Sequence, residues 1–127
     1  MHIDHVAIWT TDLERLRSFY ATHFGASAGE KYTNPAKGFQ SYFLSFAGGA
    51  RIEIMASTAL ADSNQTDPHP GYAHLALSVG SEEAVDSLTN QLRAAGIPVV
   101  DGPRHTGDGS YESAVLDPDG NRIEITV

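Results

Sequence analysis

The sequence contains no cysteine. That excludes a disulfide framework, a thiolate nucleophile and any sulfur-based metal site from Cys, so a metal centre in this chain has to be built from His, Asp and Glu. Basic residues are also scarce, with 8 Lys and Arg against 16 Asp and Glu and a formal charge of −8. Such a balance disfavours long-range attraction to phosphate backbones and anionic lipid surfaces, which argues against nucleic acid or a membrane as partner. No apolar run approaches the roughly 20 residues that span a bilayer, and the Met1-His2-Ile3-Asp4-His5 start lacks a basic n-region, so a cytoplasmic location is expected. There is no G-x-S-x-G elbow, and Gly107-Asp108-Gly109 is too short to argue for a phosphate loop.

What is present is a chain of 127 residues, 41% of them hydrophobic, enough to bury a single core without staples. Its organisation is that of one pattern written twice. From His2 to Trp9 apolar and polar residues alternate as in a strand. A Thr11-Asp12-Leu13-Glu14 capping box then predicts a helix with Thr11 at its start, carrying Leu13, Leu16, Phe19, Tyr20 and Phe24 on one stripe and stopping at Gly25. Strands are expected near Lys31-Tyr32-Thr33, from Phe39 to Phe46, and after the Gly48-Gly49 turn in Arg51-Ile52-Glu53-Ile54.

The pattern then restarts. Residues 57–71 (STALADSNQTDPHPG) hold two prolines and almost no large apolar residue, and read as a linker. Tyr72 to Val79 alternates, Ser81 caps a helix with the stripe Val85, Leu88, Leu92 and Ala95, and Gly96 and Pro98 end it. Val99-Val100, Ser110 to Leu116 and Arg122 to Val127 follow as strands, with Pro103-Arg104-His105-Thr106-Gly107 as a loop between them. Both halves thus read β-α-β-β-β, with module 1 at about 1–56 and module 2 at about 72–127 of one domain covering 1–127.

The tetrapeptide RIEI occurs in both halves, at Arg51–Ile54 and Arg122–Ile125. His74 follows His5 by 69 residues and Glu124 follows Glu53 by 71, and near the second offset Gly38 meets Gly109 and Gly49 meets Gly120. Agreement at turn glycines as well as in strands points to duplication. Val6, Ile8, Ile52, Ile54, Leu75, Leu77, Ile123 and Ile125 form aliphatic faces on which helices can lie, while His5, Glu53, His74 and Glu124 point the opposite way. For each of these four taken alone, a solvated glutamate or a structural histidine is the commoner role. Their joint recurrence is what argues for a ligand set: if the sheets curl around that side, two histidines and two glutamates share a concave cup, a suitable shell for one divalent ion such as Zn, Ni, Co, Mn or Fe, with two octahedral positions open. His2, His23 and His69 need no functional role; His105 is expected in a solvated loop, with a place at a substrate mouth as the alternative.

The stretches DHVAIWTTDLERLRSFY, GYAHLALSV and VLDPDGNRIEI resemble, in combination, the vicinal oxygen chelate superfamily, which includes glyoxalase I, extradiol dioxygenases, fosfomycin resistance proteins, methylmalonyl-CoA epimerases and bleomycin-binding proteins. The resemblance covers essentially the whole chain. It implies an α+β fold of two paired βαβββ modules forming a cup-like, barrel-like mixed sheet with helices outside, and a homodimer. Residue by residue it implies His5, Glu53, His74 and Glu124 as metal ligands, and it favours a glyoxalase I-like lyase or isomerase that moves a proton through a metal-stabilised enediolate on a small vicinal-oxygen substrate such as a hemithioacetal. Glu124 is the expected base, with Glu53 a ligand or a second proton carrier. Another enzyme of the superfamily (epimerase, dioxygenase or thiol transferase) and a metal-free small-molecule binding or resistance protein stand as alternatives. Trp9 occupies the position where similar glyoxalase I proteins place an arginine that grips glutathione; strand alternation sets Trp9 on the His5 face, either walling the substrate pocket or packing at a dimer seam.

Overall fold

The computed structural model describes residues 3–60, 72–107 and 109–127. Most of the expected linker, together with His2 and His69, lies outside the described residues. The chain divides into two compact units, Met1–Asn64 and Gln65–Val127.

The first unit runs β1 (His5–Trp9), α1 (Leu13–Phe24), β2 (Ser27–Ala28), β3 (Tyr32–Asn34), a 3-10 turn (Pro35–Lys37), β4 (Phe39–Ser45) and β5 (Arg51–Ser57). β1 pairs parallel to β5, β5 antiparallel to β4, and β4 antiparallel to both β2 and β3. The helix starts one residue later than predicted. Asp12, not Thr11, is the N-cap, its Oδ1 accepting from the Arg15 N–H at 3.0 Å, while the Thr10 hydroxyl oxygen accepts from the Asp12 N–H at 3.0 Å. A carboxylate wins this position because it also complements the positive end of the helix dipole. Gly25 ends the helix with φ 65°, as the sequence predicts. Leu13, Leu16, Phe19 and Tyr20 are buried on a sheet face that supplies Leu44, Ile52 and Ile54, whereas Phe24 is only half-buried. The two-residue β2 and the 3-10 turn are additions to the predicted order. The turn follows from Asn34, whose Oδ1 accepts from the Lys37 N–H, and from Pro35 at its first position.

The second unit runs β6 (Leu75–Ser78), α2 (Glu82–Ala94), β7 (Val99–His105), β8 (Tyr111–Leu116) and β9 (Arg122–Thr126), in the sheet order β6-β9-β8-β7 with β6 parallel to β9. Ser81 caps α2 as expected, accepting from the Ala84 N–H at 3.2 Å. The buried stripe is Val85, Thr89 and Leu92. Leu88 is half-buried and Ala95 exposed, and Thr89 takes a buried place instead, where it finds polar partners. The Thr89 O–H donates to the Val85 carbonyl at 2.6 Å, and its oxygen lies 2.6 Å from the Ser113 hydroxyl.

Residues 103–105, expected in a loop, are instead the end of β7. The strand continues past Pro103 through register shifts between Val99 and Arg104. Gly102 makes this possible with φ 71°, and a Cβ there would lie 2.5 Å from the Glu112 carbonyl oxygen.

The duplication seen in the sequence holds at the level of register. Val6, Ala7 and Ile8 pair with Ile52, Glu53 and Ile54, while Leu75, Ala76 and Leu77 pair with Ile123, Glu124 and Ile125. On the other side Phe43 faces Glu53 and Ala114 faces Glu124. The offsets of 69 and 71 therefore describe one hydrogen-bonding register used twice.

Candidate functional site

In the first unit, pairing of Ala7 with Glu53 places His5 diagonally across the parallel β1/β5 ladder from Glu53, on the same face. His5 Nε2 lies 3.9 Å from Glu53 Oε2, and the Glu53 side chain is 17% exposed against 39% for His5. The other imidazole nitrogen, Nδ1, is 2.9 Å from Asp4 Oδ2. A carboxylate accepts, so Nδ1–H donates to Asp4, and Nε2 is the nitrogen turned toward Glu53. The contact fixes the orientation of the ring. Asp4 also receives the Arg51 guanidinium, and the hydrogen bonds from His5 and then Arg51 hold its carboxyl below the usual range. Arg51 lies over the Phe43 ring at 4.4 Å, and the same ring meets His5 edge-on at 5.2 Å.

The second unit repeats the pair with different surroundings. His74 Nε2 lies 3.1 Å from Glu124 Oε2, and the Glu124 side chain is 13% exposed. Ala73 stands where Asp4 stands in the first unit, and Ala114 replaces Phe43. The repeat's second arginine has neither partner to turn to. Arg122 Nε instead lies 3.3 Å from Glu124 Oε1, and its NH2 group 3.7 Å from Asp101 Oδ2. Asp101 is held in turn by Arg104, whose Nε and NH2 donate at 2.7–3.1 Å. Arg104 chiefly depresses the Asp101 carboxyl, and the pairing with Asp101 raises Arg104.

Each unit thus brings together one imidazole nitrogen and one carboxylate oxygen. Two donors at about 2.1 Å from a shared ion at octahedral or tetrahedral angles stand roughly 3.0–3.4 Å apart. The 3.1 Å pair already fits that separation, and the 3.9 Å pair reaches it by a small side-chain movement. Among the described residues no group of three or more His, Cys, Asp or Glu is gathered in a metal-binding cluster. The donor chemistry, one imidazole nitrogen and one carboxylate oxygen in each unit, is of the kind that suits a divalent ion.

Trp9 ends β1 on the His5 face, is 48% exposed, and meets Phe39 edge-on at 6.2 Å. Phe39 lines a cavity of about 580 Å³ in the first unit, with Thr10, Thr33, Asn34, Gln40 and Ser57 among its walls. The remaining described histidines have local explanations. His23 packs on Phe19 at 5.2 Å, and His105 on Tyr111 at 4.8 Å with Glu82 3.9 Å away. Sequence reasoning passed over Asp4, Asp101 and Arg122. The Asp4-His5 dipeptide was a readable signal for the first. Nothing local marks Asp101, because its contact with Arg122 joins β7 to β9 across the sheet.

Known proteins share this fold. A family model described as Glyoxalase/Bleomycin resistance protein/Dioxygenase superfamily matches residues 2–125. An uncharacterized protein of Bacillus subtilis, YqjT, is 25% identical over 128 residues, covering 95% of this chain and 94% of that one. The trypanothione-dependent glyoxalase I of Leishmania major superposes with a TM-score of 0.79 at 22% identity, over 99% of this chain and 86% of that one. Glyoxalase I of Zea mays superposes with a TM-score of 0.80 at 21% identity, over 98% of this chain but 44% of that one, so this chain spans less than half of the maize protein's length. These likenesses establish the glyoxalase fold of two helices on two mixed sheets. With a family model matched along nearly its whole length, the chain belongs to the Glyoxalase/Bleomycin resistance protein/Dioxygenase superfamily.

Proposed function

We propose that this protein is a glyoxalase I-like metalloenzyme, a lyase or isomerase that moves a proton between neighbouring carbons of a small vicinal-oxygen substrate such as a hemithioacetal. The observation that carries the reading is the doubled His and Glu placement: Ala7 opposite Glu53 with His5 beside it, and Ala76 opposite Glu124 with His74 beside it. His5, Glu53, His74 and Glu124 together make a four-ligand shell for one divalent ion, taken from the two modules of one 1–127 domain or across a homodimer. A strand that only fills a sheet has no need of that set twice.

A divalent ion held by these residues would supply Lewis-acid stabilisation of negative charge on the substrate. The protein's part is to hold and move the proton. Glu124 takes the carbon-bound proton and returns it to the neighbouring carbon, while Glu53 stays a ligand or serves the opposite face. Trp9 walls the substrate side with an aromatic surface. The likeness to the trypanothione-dependent glyoxalase I of Leishmania major supports a thiol-derived substrate, and the formal charge of −8 supports a small molecule over nucleic acid as partner.

The test is Glu124→Gln in metal-reconstituted protein, assayed with methylglyoxal and several thiols. The amide keeps the shape but cannot accept the proton, so kcat falls by about 10²–10⁴, the usual contribution of a positioned general base. Turnover equal to the unsubstituted protein refutes Glu124 as the base. Failure of nickel or zinc to raise the melting temperature of the unsubstituted protein refutes the metal.

A further inference from the structure

Two identical tetrapeptides send their arginines to different places. Arg51 goes to Asp4 and the Phe43 ring, leaving His5 as the partner described for Glu53. Arg122 goes to Glu124, taking Oε1 at 3.3 Å while His74 approaches Oε2 at 3.1 Å. The difference follows from the flanking residues, Asp4 and Phe43 in one unit against Ala73 and Ala114 in the other. Asp101 then approaches Arg122 from β7, with Arg104 bonded to the same carboxylate.

We propose that Arg122 is a positioning residue for Glu124, with Asp101 as its anchor: the guanidinium commits one oxygen of this carboxylate and keeps it from becoming a full two-oxygen ligand, so that Glu124 remains free to act on substrate. Glu53 has no such restraint from Arg51 and is the firmer ligand of the two. The assignment rests on the metal-binding reading given above. It also makes a prediction of sign. A cation beside a ligating carboxylate repels a divalent ion and shares the carboxylate's charge, so removing it strengthens metal binding while turnover suffers. Loss of an ordinary structural contact would do the reverse and weaken binding.

The experiment is calorimetric titration of zinc alone into chelator-stripped full-length protein, with circular dichroism to verify folding. Arg122→Gln is expected to bind zinc about tenfold more tightly and to lose at least about tenfold in kcat, by the charge argument above. Arg122→Lys keeps the charge and stays near the unsubstituted affinity. Arg51→Gln, whose guanidinium serves Asp4, does not tighten binding. Asp101→Asn releases Arg122 wholly to Glu124 and weakens zinc binding, so the pair of variants moves in opposite directions and the inference stays testable if one fails to fold. Unchanged or weaker binding in folded Arg122→Gln, or tighter binding in Asp101→Asn, overturns the assignment alone. Unsubstituted protein that binds no zinc, nickel, cobalt or manganese overturns the metal reading and this assignment with it.

Discussion

Thr89 and Ser113 are 0% and 1% exposed, and their hydroxyls join α2 to the strand beside the one that carries Glu124. The proton count decides what each contributes. Thr89 has one hydroxyl proton and donates it to the Val85 carbonyl, so the 2.6 Å contact to Ser113 is made with the Ser113 proton. Thr89→Val keeps the shape and removes the acceptor, leaving the Ser113 O–H buried without a partner at a cost of about 1–3 kcal/mol. Ser113→Ala leaves the Thr89 donation intact and costs less, roughly 1 kcal/mol or below. The double variant removes both hydroxyls and is expected to be more stable than Thr89→Val alone, a coupling of about 1–2 kcal/mol. Urea denaturation reads this directly. With m near 2 kcal/mol/M, Thr89→Val lowers the midpoint by about 0.5–1.5 M and the double variant recovers much of it. Ser113→Ala costing more than Thr89→Val, or strictly additive effects, would refute the donor assignment.

Other consequences are open to simple measurement. Gly102→Ala meets a positive φ and a backbone carbonyl oxygen 2.5 Å away; destabilisation of about 2–4 kcal/mol is expected from strain and overpacking, read as a lowered melting temperature. Glu14 is held below the usual carboxylate range by Lys31 first, then Tyr42 and Arg17. Because its folded pKa is depressed, its contribution is present above the unfolded value of 4.5 and is lost as pH falls through the folded pKa. Glu14→Gln should therefore flatten the acid limb of the stability curve, and an unchanged limb would count against this cluster. Trp9 is 48% exposed, so Trp9→Ala should change stability by less than about 1 kcal/mol while raising KM more than it lowers kcat. An unchanged KM would remove Trp9 from the substrate wall.

Much of the fold was legible because its signals are local. Ser81, Gly25 and the alternation of Ile52 with Ile54 each state their role within a few residues. The misses come where a local signal has two outcomes. Thr11 and Asp12 both suit an N-cap, and only the Arg15 contact chooses Asp12. Pro103 reads as a loop because it lacks a donor, yet Gly102 lets β7 pass through it with a shifted register. Thr89 is absent from the predicted stripe of Val85, Leu88, Leu92 and Ala95, and its burial shows only when Ser113 of β8 meets its hydroxyl.

The same division holds at the site. The sequence by itself determined that His and Glu recur at matched positions of the two halves and that no thiolate is present, since composition and period-two alternation are properties of the chain alone. Tertiary structure decided which neighbours those residues have. Whether an arginine of RIEI turns to Asp4 or to a glutamate depends on side chains delivered by other strands, Phe43 on β4 and Asp101 on β7. Charges and rings that meet across a sheet have no fixed spacing along the chain, so one tetrapeptide acquires two different roles only when the strands are laid side by side.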